Sequence, residues 1–185
     1  METSQQIILG IDPGTNIMGY GIIRCKNNAL SLVTMGVLKF NSKEDALLRL
    51  KNIFEGIVNI IEKYRPDSVA IEAPFFGKNV QSMLKLGRAQ GVAIAAAMFK
   101  NLPVFEYSPR KVKMAITGKG SASKEQVEAM LHHLIEFDYN QKYLDASDAL
   151  GIAICHHLQG KRLVTGKSYS NWDAFLKKNA DRIIR

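Results

Sequence analysis

The sequence predicts a mixed α/β fold, a five-stranded sheet with helices on both faces. Three apolar, strand-like runs open the chain one after another, and beyond residue 41 helical periodicities alternate with short buried strands. The length of 185 residues suits one domain with one core and leaves no room for two large lobes.

The first strand, residues 7–11, is an apolar run that ends at Asp12, where Pro13 and Gly14 make a turn. Residues 17–24 and 30–40 read as the next two strands, joined by a hairpin turn at Lys26, Asn27 and Asn28. A helix follows, capped by Asn41 or Ser42, with Ala46, Leu50, Ile53, Ile57 and Ile61 along its apolar face and Pro66 as its stop. Residues 68–71 form a short buried strand that carries Glu72 at its far end. Pro74, Phe75, Phe76 and Gly77 then break the chain into a loop before a long helix over 79–100. The strand 104–107, a basic helix from Pro109 and a loop at 118–121 come next. Ser123 caps the following helix, with Gln126 at the reciprocal position of a capping box. A last core helix spans 144–158 and ends at Gly160. Residues 1–160 thus compose the domain and 161–185 a basic tail. In that tail Trp172, Phe175, Leu176, Ala180 and Ile183 recur at helical spacing after Ser170-Asn171. A helix docking on the domain and a basic arm for DNA or a partner both explain it.

The net charge of +8 is unevenly spread. Between Lys78 and Lys124 nine basic residues stand against one acid, Glu106, while the tail carries seven basic and two acidic residues. The remainder is net acidic. A basic segment beside an acidic remainder suits a polyanion partner and a separate carboxylate cluster, although a solvated face would also produce it. Cys25 and Cys155 belong to no C-x-x-C pair, so the reading is buried thiols in a reducing compartment. No signal-like start and no apolar stretch of membrane-spanning length is present, which predicts a cytoplasmic protein without a membrane partner.

Four acids stand out. Asp12 ends a buried strand, and Glu72 directly follows Val69-Ala70-Ile71 at the end of another. An ionised carboxylate at such a position is costly unless a cation or hydrogen bonds compensate it. A simple turn at Asp12, and a carboxylate reaching solvent at Glu72, are the alternatives. Asp145 and Asp148 lie three apart, on one face near the start of a helix that is otherwise apolar. Capping explains one such acid more readily than two. Phosphodiester hydrolysis requires activated water and charge neutralisation at both attacking and leaving oxygens, which two Mg²⁺ ions held by carboxylates provide.

The chain resembles the RuvC family of Holliday junction resolvases. The resemblance rests on Leu9-Gly-Ile-Asp-Pro-Gly-Thr15 with Gly19-Tyr-Gly21, on Ala70-Ile-Glu72 with Phe75 and Gly77-Lys-Asn79, and on Leu84-Lys-Leu-Gly87 with Gly91-Val-Ala-Ile94. It continues through Pro103-Val-Phe-Glu-Tyr107, Val112-Lys113, Ser121-Ala122 with Lys124 and Asp145-Ala-Ser-Asp-Ala-Leu150, spanning residues 7–158 in unbroken order. It implies an RNase H-like fold and a homodimer that nicks four-way junction DNA symmetrically in strands of like polarity. Recombination and DNA repair are the setting, and the branch-migration proteins RuvA and RuvB are the partners. By the same resemblance the catalytic and metal-binding acids are Asp12, Glu72, Asp145 and Asp148, holding two Mg²⁺ that Mn²⁺ can replace. Phe75 matches the aromatic that meets DNA, with Phe76 beside it as a second candidate. Lys113 and Lys124 match basic residues of DNA contact and catalysis.

The charge distribution agrees with this picture. Lys78, Lys85, Arg88, Arg110 and Lys119 join those two lysines as candidate phosphate contacts, which give affinity without sequence information. A Phe stacked on an unpaired base contributes roughly 1–3 kcal/mol. Gly87, Gly91 and Ala95 recur every four residues on the long helix, either to pack on the chain's own sheet or to pair with a second copy. Two other readings share parts of the pattern. An RNase H-like nuclease acting on structured RNA needs the same acids. An actin-like ATP-binding protein also opens with a strand, an Asp and a Gly turn, but requires a second lobe.

Overall fold

The structure, a computed structural model, describes residues 5–27, 29–73, 79–137 and 144–165, with side chains as far as residue 160. The predicted tail helix and the loop bearing Phe75, Phe76 and Lys78 lie outside the described residues. Strands β1 (Gln5–Asp12), β2 (Ile17–Lys26) and β3 (Ala29–Lys39) come first, followed by α1 (Ala46–Tyr64) and β4 (Ser68–Glu72). After them come α2 (Val80–Phe99), β5 (Val104–Tyr107), α3 (Pro109–Thr117), α4 (Lys124–Leu134) and α5 (Leu144–Thr165).

The five strands form one sheet in the order β3-β2-β1-β4-β5. The first three are antiparallel neighbours, whereas β4 runs parallel to β1 and β5 parallel to β4. Side chains alternate across the sheet with period two. Leu9, Ile11, Val69 and Ile71 therefore point to one face, where α1 and α2 cover them. Ile8, Ile23 and Ala70 point to the other, under α3, α4 and α5. The predicted mixed sheet with helices on both faces is the observed fold, and both cysteines are buried in the second cluster.

Two local expectations are corrected. The cap of α1 is Asp45, not Asn41 or Ser42: its carboxylate accepts from the N–H groups of Leu47 and Leu48 at 2.8 and 3.2 Å. Asn41 instead accepts from Lys43 N–H at 3.0 Å, closing a turn upstream of the helix. Gly160 does not end α5, which continues to Thr165. A helical glycine costs only about 1 kcal/mol relative to alanine, and the flanking Gln159, Lys161, Arg162 and Leu163 are good helix formers. The capping box at Ser123 and Gln126 forms as expected.

The side of α2 that faces the core is lined by Ala89, Ala93, Ala96 and Ala97. Gly87, Gly91 and Ala95 are not on that side. Among the described residues nothing outside the helix's own backbone lies within 4 Å of where a Cβ would sit on either glycine, and Ala95 is exposed, so the stripe does not pack on its own sheet.

Candidate active site

Asp12 and Glu72 are brought together by register. Ile8, Gly10 and Asp12 share the face of β1 that lies under α5, and Ser68, Ala70 and Glu72 share that face of β4. Parallel pairing places Ile11 beside Ile71, so the next residues, both acids, emerge side by side at the carboxyl ends of adjacent parallel strands. That is where open α/β sheets form ligand crevices.

Helix α5 brings the other two acids, and glycines make this possible. Gly10 pairs with Gly21 across β1 and β2, and Gly19 pairs with Asp12. A Cβ on Gly10 would stand 2.1 Å from the Ala149 carbonyl oxygen, and one on Gly19 would stand 1.9 Å from that of Asp145. The helix backbone thus lies directly on bare strand. Its first turns, with Asp145 and Asp148 three residues apart, come down beside Asp12. The role of Gly10, Gly19 and Gly21 as a floor for this helix was not deducible from their positions along the chain, because it depends on a cross-strand register.

The four acids line one cavity of about 370 Å³, together with Lys113, Lys124, Val112 and Ile152. Lys124 Nζ is paired with Asp148 Oδ2 at 3.0 Å, and Lys113 Nζ donates to the Ala122 carbonyl at 2.7 Å. Burial, reinforced by the charges of Glu72, Asp148 and Asp145, raises the Asp12 carboxyl to about 8, and a hydrogen bond links it to Glu72. Glu72 is raised chiefly by its own burial, against the lowering effect of that bond. Hydrogen bonding to Asp148 raises Lys124.

As they stand, no three His, Cys, Asp or Glu side chains among the described residues are gathered tightly enough to hold an ion. Asp12 leans on Glu72, and Asp148 on Lys124. The donor chemistry nevertheless fits a hard divalent cation: all four are carboxylates, and the burial and neighbouring charge that raise Asp12 are a cost such a cation would relieve.

The remaining candidates are dispersed. Arg110 is exposed on α3, which lends Val112 and Lys113 to this cavity, and Lys119 is exposed on the loop after it. Lys85 and Arg88 line a separate cavity of about 240 Å³ with Thr15, Arg49 and the start of α1. A charge cluster continuous in the sequence is therefore divided between two places. Arg49, which sequence reading passed over, ties the turn after β1 to the loop before α1 by bonds to Asn16 Oδ1 and to the Ser42 and Glu44 carbonyls. Among the described residues no helix is long and apolar enough to cross a membrane.

A family model described as Crossover junction endodeoxyribonuclease RuvC matches residues 8–156. A protein of that name from Cytophaga hutchinsonii is 54% identical over 182 residues, covering 98% of this chain and 90% of its own length. Another, from Christiangramia forsetii, is 53% identical over 180 residues, covering 97% and 94%. Among solved structures, T. thermophilus RuvC in complex with a Holliday junction substrate superposes with a TM-score of 0.79 at 30% identity, over 86% of this chain and 97% of that one.

Proposed function

This chain belongs to the RuvC family of crossover junction endodeoxyribonucleases, and from that premise we propose how its own residues cut a Holliday junction. The observation that carries the reading is the convergence of Asp12, Glu72, Asp145 and Asp148 in a cavity walled by two lysines. These four acids would hold two Mg²⁺, or Mn²⁺ in their place. Such cations would supply activated water and charge neutralisation at the attacking and leaving oxygens. Asp12, raised by burial and by its acidic neighbours, would have to be ionised to serve as a ligand. Asp148 would have to part from Lys124 to serve as a ligand, and the Lys124 ammonium would then be available to the phosphate. Lys113, held by the Ala122 carbonyl, adds a second fixed positive charge where negative charge develops.

Arg110 and Lys119 extend the positive wall outward to neighbouring phosphates, and Lys85 and Arg88 contact a different stretch of backbone. Phe75 or Phe76 stacks on a base at the crossover. A second copy packs along α2, where Val80, Leu84 and Met98 are 64%, 55% and 63% exposed around the bare Gly87 and Gly91. Two like strands then meet two like sites. RuvA and RuvB are the partners to expect within the family, and the cytoplasm is the compartment.

The test is a synthetic four-way junction incubated with the protein and Mg²⁺, with cuts mapped to the nucleotide. Paired nicks at symmetric positions in strands of like polarity are expected, with little cutting of linear duplex. Preferential cutting of structured RNA would favour the RNA-nuclease reading instead. The actin-like ATP-binding reading has no comparable support in this family.

A further inference from the structure

Gln90 is one of three buried polar residues among those described, and it is 4% exposed on the inner side of α2. A buried amide is costly unless it is bonded. Its Nε2 donates to the backbone carbonyl of Glu72 at 3.0 Å and to Glu106 Oε2 at 2.9 Å. These bonds sit at a weak point of the sheet. Pairing of β4 with β1 ends at Ile71, and beyond Asp12 comes Pro13, which has no N–H to continue it. On the β5 side the last bond is from Ala73 N–H to the Tyr107 carbonyl at 2.9 Å. The peptide that carries Glu72 would otherwise be anchored on one side alone.

The geometry points to Gln90 as a positioning residue for Glu72: it fixes the final carbonyl of β4 to α2 and, through Glu106, to β5, and thereby sets where the Glu72 carboxylate stands. The bond to Glu106 is charge-assisted, which holds the amide in one orientation. Gln90 touches neither substrate nor ion and acts only through Glu72, so this inference rests on Glu72 being one of the acids of the site.

Gln90→Met preserves volume and removes both bonds. Outer partners of metal ligands typically contribute about 10–100-fold to metal affinity or rate. The variant should bind a four-way junction in EDTA as wild type does. Its single-turnover cleavage rate at saturating protein should fall by roughly that factor, and more Mg²⁺ should be needed both for half-maximal rate and for thermal stabilisation of the free protein. A purely structural role would lower the melting temperature without moving the Mg²⁺ dependence, and that result overturns the inference. If Gln90→Met does not fold, Glu106→Ala removes one anchor at the surface and should shift the Mg²⁺ dependence in the same direction; a wild-type dependence there is equally contrary. Glu72→Gln runs alongside. If it cuts normally, the reading of the site itself fails. If it is inactive while Gln90→Met matches wild type, only the positioning role fails.

Discussion

Asp12→Asn and Asp148→Asn should each abolish junction cutting while leaving junction binding intact. The side chains keep their shape and lose their charge, so the cavity keeps its walls but loses its hold on divalent cations. An ion site of this kind supplies several kcal/mol of transition-state stabilisation, so the single-turnover rate should drop by about a thousandfold or more. Affinity in EDTA should be unchanged or tighter, because phosphates are held by lysines and arginines and removing an acid lessens repulsion. Rate and affinity are read separately, by cleavage from a saturated complex and by gel shift. A wild-type rate in either variant refutes the role given to that acid.

The second large effect is expected far from any charge. Gly10→Ala places a methyl group 2.1 Å from the Ala149 carbonyl oxygen and 2.8 Å from the Ala153 nitrogen. Both are backbone atoms of α5, so no side chain can swing aside. Either the helix lifts or the strand bends, at about 3 kcal/mol or more. For a chain of this size the melting temperature should fall by roughly 6–12 °C. Cutting should fall further than stability alone dictates, because a 1 Å displacement of Asp145 and Asp148 can cost about a hundredfold in rate. Gly19→Ala, with its methyl 1.9 Å from the Asp145 carbonyl oxygen, acts on the acid itself. A Gly10→Ala protein that melts and cuts like wild type would show that the helix is not seated on the strands as described.

These two cases mark what could be read along the chain. Asp12 and Glu72 were legible as strand-end acids because period-two burial and a following turn are local signals. Asp145 and Asp148 were legible through helical spacing. The reason the two pairs meet was not legible, since it depends on Gly10 lying opposite Gly21 and on a helix more than a hundred residues later. Gln90 was hidden for a similar reason: one glutamine inside an apolar helix gives no hint that its partners lie on two strands. The cap of α1 went to Asp45 because a turn at Asn41 delays the helix, and two plausible caps four residues apart look alike in sequence. The basic segment from Lys78 to Lys124 gave no sign along the chain of how its charges are placed in the fold. Lys113 and Lys124 reach the acids, whereas Lys85 and Arg88 face a different cavity.

Carboxylates from distant parts of the chain share one pocket, and in the proposed function a divalent cation would relieve their repulsion. Thermal melting across pH, with and without Mg²⁺, is the sharpest test of that proposal. Asp12 is raised from 3.8 to about 8, so the folded protein holds a proton that the unfolded chain releases earlier. Stability from this group is therefore fully present below about pH 4 and is lost as pH rises to about 8. Glu72 shifts the same way. Without metal, the melting temperature should fall over that window in wild type and fall less in Asp12→Asn, which should be the more stable protein at pH 8. Mg²⁺ should restore the wild type at pH 8, do little at pH 5, and do little for the variant. A wild-type melting temperature that ignores Mg²⁺ at pH 8, or that responds no differently from Asp12→Asn, would contradict the claim.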